Sequence, residues 1–96
     1  MTFYSRRQIV ELLGVEDAFL IQLEREEIIY CDAPEEHPGE YSERMLERAR
    51  VADNLVHELE VNLPGVAVIV EMREHLAALR QHLESIASEI RRRGPS

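Results

Sequence analysis

Tyr4-Ser-Arg-Arg-Gln-Ile-Val-Glu-Leu-Leu-Gly-Val15 is the stretch on which the fold turns. Ser5 and Gln8 have capping-box spacing, in which the serine oxygen accepts from the amide three residues on and the glutamine side chain reaches back. Ile9, Leu12 and Leu13 follow at i, i+3 and i+4, giving one apolar stripe on a helical face. Gly14 stands where a left-handed residue ends a helix. Together these signals predict a helix over 6–13. A helix that short is stable only when packed on neighbours, so the next element must offer an apolar face.

Phe19, Leu20 and Leu23 supply that face on a second helix over 17–26, with Glu16 and Asp17 placed where negative charge suits exposed helix amides. Ile28, Ile29 and Tyr30 form a short β-compatible stretch. Residues 31–40 contain Asp32, Pro34, Pro38 and Gly39, the chemistry of turns and loops. Ser42 caps a third helix over 43–59, on which Leu46, Ala49, Ala52, Val56 and Leu59 are spaced for one buried face. Residues 4–50 thus have the order of a helix-turn-helix followed by a wing and a further helix.

Asn62-Leu-Pro64 restarts the chain as a helix, with Asn62 as cap and Pro64 in the first turn, where its missing N–H does no harm. The valines at 66, 68 and 70 would suit a strand locally, but the continuation decides for a helix to about Arg93, stopped by Gly94 and Pro95. Ile69, Met72, Leu76, Leu79, Leu83, Ile86 and Ile90 alternate spacings of three and four, an a/d heptad seam of roughly 33 Å at about 1.5 Å per residue. Arg73, His75, Arg80, His82 and Glu89 flank it. A seam that narrow needs a partner helix, either the third helix in a hairpin or a second copy. Its last two turns outreach a third helix of this length, which favours a homodimer through a two-stranded coiled coil. The a/d spacing fits parallel and antiparallel pairs alike. The expectation is a mainly α chain: a winged helix-turn-helix over 1–61 and a dimerising helical extension over 62–96.

The charge of this scaffold is the wrong sign for DNA. Residues 16–60 hold fourteen carboxylates against four arginines (Arg25, Arg44, Arg48, Arg50), a local net of −10 in a chain of net −8. Affinity for duplex DNA comes largely from Lys and Arg neutralising phosphates, so this surface suits a basic protein better. With 96 residues, 45% hydrophobic and 31% charged, the chain has the size and composition of one small globular domain. Cys31 is the only cysteine, so no intrachain disulfide forms and a reducing compartment is the default. No signal-peptide pattern opens the chain, and the longest apolar run, 66–70, is too short for a bilayer. A cytoplasmic protein without membrane contact is expected. His75 and His82 share a helix face without further ligands at metal spacing, and Cys31 with His37 is too sparse for zinc. No nucleophile–base order, Gly-rich phosphate loop or HExxH occurs. Neither an enzyme nor a cofactor is expected.

The order of the elements resembles MerR-type helix-turn-helix proteins, in which a long dimerisation helix follows the wing. Tyr4-Ser5, Leu13-Gly14-Val15, Glu24-Arg25-Glu26, Ile28-Ile29 and Tyr41-Ser-Glu-Arg-Met-Leu-Glu-Arg48 carry the likeness. DNA-binding members place arginines on the second helix and in the wing. The matching helix positions here are Ala18 and Ile21, a commonly aromatic position is Gln22, and the wing position falls near Glu40. An apolar side chain cannot donate to phosphate and a carboxylate repels it. Arg6, Arg7 and the arginines at 91–93 are the groups left for a DNA-binding transcriptional regulator, the alternative reading.

Val61-Asn-Leu-Pro-Gly-Val-Ala-Val68, running into a Leu-rich helix, is similar to a segment of the chaperone-modulator family. With residues 12–29 and 41–50 the likeness spans nearly the whole chain. It implies binding to the J-domain of a DnaJ-like co-chaperone of the curved-DNA-binding protein A type. Such a modulator competes with the Hsp70 chaperone for the J-domain and hinders DNA binding by the partner. Because J-domains present a basic helix, Glu24, Glu26, Glu27, Glu35, Glu36 and Glu40 become the candidate contacts. An adaptor using the coiled coil alone is a third reading.

Overall fold

A computed structural model describes residues 1–94. Strand β1 (Phe3–Tyr4) leads into helices α1 (Arg6–Leu13) and α2 (Asp17–Arg25); strand β2 (Tyr41–Ser42) leads into α3 (Glu43–Leu59) and α4 (Leu63–Arg93). The two strands pair antiparallel, Phe3 opposite Ser42 and Tyr4 opposite Tyr41. The architecture is the expected mainly α helix-turn-helix with a long C-terminal helix.

Local capping explains why the helices begin and end where they do. Ser5 Oγ accepts from the Gln8 amide at 3.1 Å while Gln8 Oε1 accepts from the Ser5 amide at 2.8 Å. Gly14 ends α1 at φ 67°, a conformation that costs other residues about 1–2 kcal/mol. Asn62 Oδ1 accepts from the Gly65 amide at 2.8 Å, and Pro64 lies in the first turn of α4. Pro95, the second half of the expected stop signal, lies outside the described residues.

One core collects side chains from every helix: Ile9 from α1, Phe19, Leu20 and Leu23 from α2, Met45, Ala49, Val51 and Ala52 from α3, and Val66 and Val70 from α4. That core runs across the 61/62 junction, and the 66–70 segment is helical, its two buried valines one turn apart against α3.

Three expectations need correction. Ile28, Ile29 and Tyr30 form no strand; the chain turns there, with the Ile28 amide donating to the Leu23 carbonyl at 2.9 Å and both isoleucines fully buried. Their apolar bulk plugs the core instead of pairing a sheet. Leu12 is 62% exposed and Leu59 68%, because α1 is covered from the Ile9 side and Leu59 falls in the last turn of α3, where the chain reverses. The buried face of α3 instead includes Met45, Arg48 and Val51.

The reversal runs through Glu60, which takes the left-handed conformation at φ 55°. Glu60 is exposed, so Glu60→Gly removes backbone strain and little else. We expect it to raise stability by about 1 kcal/mol and the thermal midpoint by roughly 4–8 °C, measured by circular-dichroism melting.

Only the first turns of α4 meet the rest of the chain. Val66, Val70 and the half-buried Ala67 and Glu74 face α3, whereas the a/d seam lies roughly 150° around the helix axis at 3.6 residues per turn. Ile69 is half-buried, but Met72, Leu76, Leu79, Leu83, Ile86 and Ile90 are 45–65% exposed. The intrachain hairpin therefore leaves the seam bare. The radius of gyration is 16.9 Å, against about 12–13 Å for a compact chain of this length. Among the described residues no helix is long and apolar enough to cross a membrane.

Candidate protein-interaction site

Six glutamates were expected to meet a partner, and the fold places them in different settings. Glu24 on α2 is held from two sides: its Oε1 accepts from Arg6 Nη2 at 2.5 Å and from the Tyr41 hydroxyl at 2.6 Å. Arg6 also lies 3.8 Å from Asp17. The hydrogen bond with Tyr41, followed by the nearby Glu24 charge, raises the Arg6 pKa; burial, then the bond to Glu24, raises that of Tyr41. This carboxylate ties α1, α2 and β2 together, so both of its strong contacts are internal.

Glu40 is half-buried, 3.2 Å from His37 Nδ1. The His37 ring stacks on Phe3 with centroids 3.7 Å apart, and the Cys31 thiol donates to the His37 carbonyl at 3.3 Å. Glu40 thus helps to fold the 31–40 loop onto β1. Glu26, Glu27, Glu35 and Glu36 are exposed. Glu35 and Glu36 border a shallow hollow with Asp32, Ala33 and Pro34. Glu27, at φ 56°, borders a different one with Tyr30, Arg44, Glu71 and His75. The acidic surface is real, but it is spread along the turn and loop and converges on no single pocket.

Beneath the second hollow is a network that sequence reasoning missed. Arg48 is 6% exposed; its Nε and Nη2 donate to the two Glu74 oxygens at 3.0 and 2.6 Å, and its Nη1 donates to the Ile28 carbonyl at 3.1 Å. Arg44 adds two bonds to Glu74 at 3.2 and 3.1 Å. The Arg48 hydrogen bonds, only partly opposed by burial and reinforced by Arg44, hold the Glu74 carboxyl down at about 2. Bonding to Glu74 in turn raises both arginines. The clamp joins α3, α4 and the turn after α2. Its one sequence signal was the Arg44, Arg48 pair at i, i+4; Glu74, at an outward heptad position, reads as a solvated charge.

The face of α2 that would enter a DNA groove carries little to hold DNA. Ala18 and Gln22 are exposed, Ile21 is half-buried, and Arg25 in the last turn is the helix's only cation. Arg6 is turned onto Glu24 and Asp17. Among the described residues no three His, Cys, Asp or Glu side chains are grouped to hold a metal ion.

Comparison with curated proteins and with solved structures finds no match. A family model described as "MerR HTH family regulatory protein" matches residues 4–88, from β1 deep into α4. With the capped α1–α2 pair, the Tyr41–Ser42 approach to α3 and the long α4 all inside that match, the chain belongs to the MerR helix-turn-helix family.

Proposed function

We propose that this chain is a chaperone modulator: it binds the J-domain of a DnaJ-like co-chaperone and lowers that partner's co-chaperone and DNA-binding activities. The observation that carries this reading is the surface polarity of the helix-turn-helix. Where DNA-reading relatives place arginines, this chain has Ala18, Ile21 and Gln22, and the turn and loop beyond expose Glu26, Glu27, Glu35 and Glu36. The likeness of residues 61–68 to the chaperone-modulator segment supports it, and Asn62 and Pro64 act as the helix start that segment requires. An acidic surface favours a basic J-domain helix by steering its approach and setting its orientation more than by adding net affinity.

The same reading has two copies joined through the α4 seam. Apolar side chains left about half exposed contribute roughly 1 kcal/mol each when a partner covers them. Six such side chains per chain make a pairing surface of useful strength.

Reversing Glu26, Glu35 and Glu36 together to Lys tests the docking surface without touching the Glu24 or Glu74 networks. The association rate with an isolated J-domain is expected to fall about tenfold at low salt, with the difference shrinking towards 0.5 M as charges are screened. Stopped-flow fluorescence reads this directly. An association rate and affinity equal to those of the parent chain would remove the acidic surface from the account.

A further inference from the structure

We propose that the occupant of the bare α4 seam is a second copy running antiparallel, whose C-terminal arginines seat in the hollow formed by Glu27, Tyr30 and Glu71. The inference rests on the self-association read above and adds its orientation, its register and a second contact.

Charge decides the orientation. A parallel pair would hold two strongly acidic helix-turn-helix units side by side and bring His75 beside Arg80 of the second copy. An antiparallel pair sends the acidic units to opposite ends of a seam about 30 Å long, several Debye lengths at physiological salt.

Exposure decides the register. Antiparallel alignments that keep a against d shift by whole heptads. With the two-fold axis level with Gln81, Met72 meets Ile90, Leu76 meets Ile86 and Leu79 meets Leu83, each twice. That alignment covers all six strongly exposed seam residues and omits Ile69, which its own chain already half-covers. Moving the axis one heptad towards the N-terminus strands Ile90; moving it the other way strands Met72 and Leu76.

In this register Glu89 faces His75 of the second copy, on the flank that also carries His82. Arg93, four residues after Glu89, continues the same flank and arrives level with Ile69 of the other chain, beside the hollow. There Glu74 is neutralised by Arg44 and Arg48, whereas Glu27 and Glu71 make no ion pair among the described residues. The Tyr30 ring is 41% exposed, with the Arg48 guanidinium 5.8 Å from its centroid. Two uncompensated carboxylates beside an open aromatic edge suit a guanidinium, and Arg91-Arg-Arg93 is the only run of three cations in the chain.

Sedimentation equilibrium of the full chain at 50 mM and 0.5 M salt tests this. Reversing Arg91, Arg92 and Arg93 to Glu is expected to weaken the dimer about tenfold at low salt and by less than about threefold at high salt. Adding Glu27→Arg and Glu71→Arg should return the low-salt dissociation constant to within about threefold of the parent. A dimer indifferent to the arginine reversal, or not rescued by the opposite reversal, overturns the seating while leaving self-association intact. A parent chain that stays monomeric overturns both.

Discussion

Arg48→Met lowers the unfolding free energy by about 3 kcal/mol and the melting temperature by roughly 15 °C. Methionine keeps the length and helix propensity of the arginine stem, so the loss isolates the polar contacts. Two groups are stranded: the Ile28 carbonyl, which accepts from Arg48 inside the core, and Glu74, left with Arg44 alone. A buried carbonyl without a donor costs about 1–3 kcal/mol. Breaking a fully buried ion pair costs about 3–5 kcal/mol, and the 32% exposure of Glu74 places this case at the low end. Arg44→Met, at the half-exposed arm of the same network, should cost less than about 1 kcal/mol. Urea unfolding of the three chains measures both differences.

The same carboxylate gives the molecule an acid limb. The folded-state value for Glu74 is about 2, below its ordinary 4.5. A depressed carboxylate contributes stability that is fully present above the unfolded value and is lost as pH falls through the folded one. Unfolding free energy should therefore decline between about pH 4.5 and 2, by about 1–2 kcal/mol once solvent screening of a one-third exposed group is allowed for. In Arg48→Met that decline should be largely absent.

Leu79→Glu turns the protein into a monomer without unfolding it. Leu79 is 55% exposed in a single chain, and glutamate is a good helix former, so far-UV circular dichroism should be unchanged. At the centre of a pair the substitution places two carboxylates in an apolar seam, each costing several kcal/mol unless protonated or paired. The dissociation constant should rise at least about a thousandfold, and the sedimented mass should halve at concentrations where the parent is paired. An unchanged mass would move the interface away from residues 69–90.

Local signals made much of this fold legible. The capping box at Ser5 and Gln8, the glycine at 14, and Ser42 and Asn62 at the starts of α3 and α4 are backbone chemistry within three residues, so the helix bounds follow directly. The seam was legible because it is periodic, and its exposure explains the period: no element of the same chain interrupts it. What escaped is long-range. Glu24 looked like a surface charge because its partners, Arg6 and Tyr41, lie 18 and 17 residues away; Glu74 and Arg48 are separated by 26. No periodicity announces such pairs, and an outward heptad position actively conceals one. Ile28 and Ile29 misled for a related reason, since β-branched bulk fills a core turn as well as it lines a strand. Of the six expected contact residues, Glu24 and Glu40 are engaged within the fold, and Glu26, Glu27, Glu35 and Glu36 remain open to a partner.

Parallel anisotropy titrations of the purified chain, one against a labelled J-domain and one against a labelled pool of duplex oligonucleotides, both at about 0.15 M salt, compare a protein partner with DNA for this MerR-family surface. Saturable binding to the J-domain at micromolar concentrations or below, with no saturable duplex binding, is the predicted result. Tight, sequence-selective duplex binding with no response from the J-domain would contradict it.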